Sequence, residues 1–235
     1  MKKFSILLIT VTLLMPIFSL QAQEVNLIWS ADTYVPPFYK GLPVFSSQSV
    51  VNFIAIPIGL GPTSEMEFIW TKNGTIVGGA SGAYRNTFAS LDTIISKPQT
   101  IKIEILSEHN GSASSTVTVT PTAPGMLVYE NNPLYGYMFH KDVGQTFELK
   151  EKEITLAAFP IFFASPTRYD SEIKYQWLNN NNGSETRNQI TYRTPDGASG
   201  SAQISVRANN LSDILQEATK GFLLKFNNPD IPTNL

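Results

Sequence analysis

Two stretches of this chain each occur twice, one domain's length apart. Leu27-Ile-Trp-Ser-Ala-Asp-Thr-Tyr34 returns 100 residues on as Leu127-Val-Tyr-Glu-Asn-Asn-Pro-Leu134. Phe68-Ile-Trp70-Thr-Lys-Asn-Gly74 returns 107 residues on, from Trp70 to Trp177, as Tyr175-Gln-Trp177-Leu-Asn-Asn. An apolar run closing on proline precedes each tryptophan, Val51 to Pro57 and then Ile154 to Pro160. Self-similarity at a spacing of about 100 residues, a usual domain size, implies two copies of one domain.

Within each copy the hydrophobic period is two. Thr100-Ile-Lys-Ile-Glu-Ile105 places isoleucines on one face and Thr, Lys and Glu on the other, and Ser115-Thr-Val-Thr-Val-Thr120 does the same with valines. Alternation of this kind belongs to half-buried strands. Asn110-Gly111 between them supplies the positive φ angles of a tight hairpin. Further strands are predicted at 50–56, 66–72 and 86–91, then at 145–149, 153–159, 172–178, 187–192, 202–208 and 221–226. Short strands at such intervals imply an all-β chain of two tandem β-sandwiches. Only 211–220 has helical spacing, with Ser212 as cap, Ile214, Leu215 and Ala218 on one side, and Gly221 as stop. Glu148, Glu151 and Glu153, interleaved with Lys150 and Lys152, read as a solvated hairpin.

Lys2-Lys3, the apolar stretch Phe4 to Leu20, and Ser19-Leu-Gln-Ala22 follow the plan of a secretory signal peptide over 1–22. The alternative is an uncleaved membrane tether, for which 17 residues is near the lower limit. The expected division is a first domain over 23–121, a linker over 122–125, a second domain over 126–227 and a disordered tail over 228–235. There is no cysteine, so neither disulfide nor lipid anchor is possible, and the absence of disulfides leans towards a bacterial exported protein. The net charge is −2, with no basic block of the kind that binds phosphate backbones, so nucleic acid is not an expected partner.

Phe68-Ile-Trp70-Thr-Lys-Asn-Gly74 and Lys174-Tyr-Gln-Trp177 resemble the third-strand signature of immunoglobulin-like (Ig-like) and PKD-like modules. The Gly-Asp-Gly that follows the tryptophan in PKD domains and the paired cysteines of antibody domains are both missing here. The likeness implies that Trp70 and Trp177 fill the space between two sheets, with Phe68 and Tyr175 on the same side of their strands. The opening segment Leu27 to Tyr39 is similar to the start of exported bacterial Ig-like proteins.

Aromatic clusters open both copies: Trp29, Tyr34, Phe38 and Tyr39, then Tyr129, Tyr135, Tyr137 and Phe139. Either Trp29, Tyr34, Phe38, Tyr39, Tyr135 and Tyr137 form a surface for a ligand or partner, or the clusters pack onto sandwich edges and the domain contact. Pro36-Pro37 and Pro43 suit an edge crossing, where no ladder donor is needed. Two glycine-rich tips, Gly78 to Gly82 and Pro195 to Ser201, are expected at matching points after the tryptophan strands, as crossovers or binding loops.

His109 and His140 are the only histidines and lie in different copies, and the acidic residues are scattered. No catalytic, metal or cofactor constellation is expected, so no enzyme activity and no cofactor are expected. The reading is a non-enzymatic exported binding or spacer module at the bacterial surface or envelope, serving adhesion or as an assembly scaffold. Its partner is a protein or glycan, with a membrane contact only if residues 1–22 are retained. The alternatives are a carbohydrate-binding accessory module and an N-terminally tethered component of an envelope assembly.

Overall fold

A computed structural model describes residues 23–180, 182–194 and 197–226. The signal or tether over 1–22 and the tail over 228–235 lie outside the described residues. Every sheet-forming segment is a β-strand, and the only helical element among the described residues is a 3-10 turn at Thr63–Glu65.

The first half contains β1 (Glu24–Ala31), β2 (Val50–Ile58), β3 (Met66–Lys72), β4 (Thr75–Ile76), β5 (Gly82–Ala83), β6 (Thr87–Leu91), β7 (Gln99–Ser107) and β8 (Gly111–Val119). One sheet has the order β1-β2-β6; the facing sheet has the order β4-β3-β7-β8, with β5 also paired to β3. Alternation decides which side chains enter the core. Val51, Phe53 and Ala55 of β2 face Phe68 and Trp70 of β3 and Ile101, Ile103 and Ile105 of β7 in one buried cluster.

The second half contains β9 (Gly125–Asn132), β10 (Gly136–Tyr137), β11 (Thr146–Leu149), β12 (Glu153–Ile161), β13 (Ile173–Asn179), β14 (Asn182–Glu185), β15 (Gln189–Arg193), β16 (Gly200–Asn210) and β17 (Glu217–Phe226). Its sheets run β10-β9-β12-β15 and β11-β17-β16-β13-β14. Leu156, Trp177, Ile204, Val206 and Phe222 lie at the centre of its core. The molecule is therefore a pair of tandem Ig-like β-sandwiches.

The halves share specific devices as well as an outline. Both indoles are fully buried. The Trp70 Nε1–H donates to the Arg85 carbonyl at 2.8 Å, and the Trp177 Nε1–H donates to the Arg187 carbonyl at 2.9 Å. Past each tryptophan strand an asparagine takes a left-handed conformation, Asn73 at φ 50° and Asn180 at φ 47°. Each closes a two-bond ring onto the neighbouring long strand. The Asn73 amide donates to the Thr100 carbonyl while its Oδ1 accepts the Thr100 amide; Asn180 does the same with Gln203.

Three expectations are corrected. Residues 211–220 are not helical: β16 runs on to Asn210, and 217–220 already belongs to β17, paired with 206–209. The Asn210 side chain accepts the amides of Ser212 and Asp213, giving the backbone a turn in place of a helix, and the Ser212 hydroxyl bonds Glu172 instead of capping. Residues 148–153 do not form a hairpin either. Phe147 to Leu149 pair in parallel with Leu224 to Phe226, so β11 and β12 lie in opposite sheets. The glycine-rich tips are not equivalent: residues 78–82 precede β6, whereas 197–201, the described part of the second (Pro195 and Asp196 lie outside the described residues), follow β15, which is the counterpart of β6.

Candidate functional site

Between β1 and β2 the segment 32–48 spans the two sandwiches: Phe45 is buried in the core of the first, and Phe38 packs against the second. Its polar backbone is satisfied from both sides, as burial requires. The Asp32 amide donates to the Val50 carbonyl of β2 at 2.8 Å, Thr33 Oγ1 donates to the Val44 carbonyl within the segment at 2.8 Å, and the Thr122 amide of the linker donates to the Phe45 carbonyl at 2.8 Å. The Tyr34 amide donates to the Phe163 carbonyl, and the Phe162 amide donates to the Tyr34 carbonyl. Ser46 Oγ donates to the Phe162 carbonyl at 2.7 Å. Buried Gln216 completes the belt. Its Nε2 donates to the Ser47 carbonyl, while its Oε1 accepts from the Ala164 amide and Asn210 Nδ2. Gln48 Oε1 accepts the Leu215 amide.

The aromatic side chains divide at this junction. Phe38 inserts among Tyr129, Phe139 and Phe159, with ring centroids 5.0, 4.3 and 5.6 Å away. Tyr39 meets Phe162 edge-on at 5.6 Å. Trp29 packs against the core of the first sandwich. Tyr135 stands in solvent, 77% exposed. Tyr34 and Tyr137 are partly buried around a residue that sequence reasoning passed over, Arg168. Phe68 and Tyr175 are buried in the two cores, each on the tryptophan side of its strand.

Arg168 follows the Ser165-Pro-Thr turn, in which the single Ser165 Oγ–H is shared between the Thr167 carbonyl at 2.8 Å and the Asp170 carboxylate at 2.9 Å. The Tyr175 hydroxyl donates to the Arg168 carbonyl at 2.8 Å, pinning its backbone to β13. The guanidinium is caged, with its carbon 3.9 Å from the Phe159 ring centroid, 4.7 Å from Tyr169 and 4.9 Å from Tyr137. Nη1 donates to the Ala158 carbonyl, and Nη2 donates to the hydroxyls of Tyr137 and Tyr169. The residue is only 3% exposed, yet among the described residues no carboxylate pairs with it. Removing a charge from water costs several kcal/mol. Desolvated cation–π contacts, worth about 2 kcal/mol each in favourable cases, and neutral hydroxyl acceptors offset that cost.

The cage tunes the phenols around it. Burial raises Tyr34 and Tyr137, with the Arg168 charge opposing in both. At Tyr169 burial also pushes upward, but hydrogen bonds from Arg168 and Tyr137 together with the Arg168 charge prevail, and its pKa is lowered. The Arg168 guanidinium thus eases ionisation of Tyr169 relative to a free phenol. A cleft of about 460 Å³ opens beside it, walled by Asp32, Tyr34, Pro37, Thr167, Arg168 and Tyr169. Sequence patterning could not mark Arg168, because its cage comes from Tyr137 and Phe159 on other strands; the one local signal was an Arg-Tyr pair in a Ser-Pro-Thr turn. Among the described residues no group of three or more His, Asp or Glu side chains is placed to hold a metal, and no helix is long and apolar enough to cross a membrane.

No family model matches the chain, and no curated protein matches it. Among solved structures, the three N-terminal domains of the highly immunogenic outer capsid protein of bacteriophage RB49 are similar over 87% of this chain, at 16% identity and TM-score 0.46. The chain spans 59% of that structure's length. The tandem Ig repeats of Dlar are similar over 88% of this chain and 99% of their own length, at 13% identity and TM-score 0.29. Murine CEACAM1b is similar over 86% of this chain and 99% of its own length, at 13% identity and TM-score 0.29.

Proposed function

We propose that the chain is a non-enzymatic, exported binding and spacer module of the bacterial envelope, made of units at 23–121 and 126–227 held at a fixed angle. The observation that carries this reading is the belt at 32–48, which hydrogen-bonds both sandwiches and plugs Phe38 into the second. A short proline-rich connector alone would leave the two bodies hinged. A doubly anchored belt presents them as one surface, which suits adhesion or scaffolding with a protein or glycan. The test is retention of purified residues 23–235 on envelope fractions, together with the mass of the mature protein in cells. Saturable retention and loss of residues 1–22 support the reading; retention no greater than that of serum albumin overturns it.

The cleft beside Arg168 favours a second, narrower reading, recognition of a glycan. It joins phenol and proline faces to hydroxyl and carboxylate groups.

A further inference from the structure

Arg168 carries a positive charge that the fold has desolvated without, among the described residues, a counter-ion, and it forms part of the wall of an open cleft. The guanidinium carbon lies over three rings, so recognition falls to its N–H groups. Two of those contacts are to neutral phenol hydroxyls. A carboxylate is a stronger acceptor than a phenol, since charge-assisted hydrogen bonds are about twice as strong as neutral ones. One of the two phenols is also replaceable: Tyr169 is 67% exposed, so its side chain has room to turn outward.

We propose that this cleft binds an acidic sugar, whose carboxylate displaces the Tyr169 hydroxyl and pairs with Arg168. Resting on the binding-module reading above, this names the ligand class. The apolar faces of Tyr34 and Pro37 suit the C–H face of a pyranose ring, and Thr167 and Asp32 suit its hydroxyls. Asp32 is exposed and its charge is well solvated, so it opposes an anion weakly. Asp170, the other nearby acid, is already engaged by Ser165 Oγ and the Glu172 amide. A peptide carboxylate is a poorer fit. Peptides are commonly held through main-chain hydrogen bonds, and both backbone groups of Tyr34 are already used across the junction.

The test is calorimetric titration of residues 23–235 with short oligogalacturonates, with the matching neutral galacto-oligosaccharides, and with a capped dipeptide bearing a free C-terminal carboxylate. Saturable binding of the acidic sugar is expected, at least ~10-fold tighter than that of either comparison ligand. Arg168→Gln abolishes it. Tyr169→Phe keeps the ring and removes the competing hydroxyl, so it tightens binding by about 3-fold or more. Should Arg168→Gln fail to fold by circular dichroism, Tyr169→Phe and the comparison ligands decide. No binding at millimolar ligand, equal binding of the neutral sugar, preference for the dipeptide, or no gain in Tyr169→Phe overturns the proposal. Retention on envelope fractions measured alongside separates the two ideas. A chain that is retained but ignores acidic sugars refutes the cleft assignment alone, whereas a chain that is not retained refutes the broader reading.

Discussion

The Phe162 amide donates to the Tyr34 carbonyl at 2.8 Å, joining backbones 128 positions apart in sequence. Phe162 sits in the left-handed region at φ 64°, a conformation costing roughly 1–2 kcal/mol for a residue with a side chain. The bonds around it hold it there, above all Ser46 Oγ on its carbonyl. Ser46→Ala leaves that buried carbonyl without its donor. The expected outcome is a loss of about 1–2 kcal/mol, read as a lower urea midpoint at unchanged slope.

Phe38 is the apolar plug of the same junction, so Phe38→Ala separates coupling from the stability of each sandwich. A loss of about 2–3 kcal/mol is expected, and differential scanning calorimetry should resolve two transitions where the parent shows one. A single unchanged transition contradicts the coupling.

The two indole bonds make a matched pair of experiments. Trp70→Phe and Trp177→Phe each remove a donor to an arginine carbonyl as well as ring volume, and each should cost about 2–4 kcal/mol. Near-equal losses by urea denaturation are expected; a difference larger than about 2 kcal/mol would show that the two devices are not energetic equivalents.

Asn73 and Asn180 test backbone strain apart from packing. Asn73→Gly keeps the left-handed conformation and loses only the Oδ1 bond to Thr100, whereas Asn73→Ala loses both. Alanine should therefore be the worse substitution, by about 1 kcal/mol, with the same order at Asn180. Reversed order in thermal denaturation would remove the argument.

High pH should reveal the buried phenols. Burial pushes Tyr192 up to about 12 and Tyr175 further still. The folded chain prefers the neutral form, so these groups leave stability intact below about 10, where an unfolded tyrosine begins to ionise. Stability then falls as pH rises from there towards 12. Among the described residues the Tyr192 hydroxyl is also buried without a hydrogen-bond partner. Tyr192→Phe should thus be neutral or up to about 1 kcal/mol stabilising at pH 7 and flatten the alkaline decline, as followed by urea titrations across pH 8–12.

Features that depend on near neighbours in sequence were readable in advance. The isoleucine alternation of β7 and the two tryptophans each carry a local signature that the fold obeys; the hairpin expected at Asn110-Gly111 forms too, but as a three-residue loop over 108–110 in which Gly111 and not Asn110 has positive φ. Partner choice left no such mark. Nothing in Phe147-Glu-Leu149 says that it pairs in parallel with Leu224 to Phe226 and not with the strand that follows it. At 211–220 the apolar spacing of Ile214, Leu215 and Ala218 mimicked a helix, but Ile214 and Leu215 are exposed and Asn210 organises a turn. Arg168 escaped notice because its environment is wholly tertiary. The grouping of Tyr34, Phe38 and Tyr137 at one junction, while Trp29 and Tyr135 lie elsewhere, also depends on how segment 32–48 crosses, which no periodicity encodes.

The 32–48 belt has a consequence for biogenesis. Ribosomes and translocation pores deliver a polypeptide from its N-terminus, so Ser47 and Gln48 emerge some 170 residues before Leu215 and Gln216, which must receive them. For that interval the nascent first sandwich carries bare phenyl rings and unpaired amides on a strap with nowhere to dock. The last strand pair to be made is the one that closes the clasp.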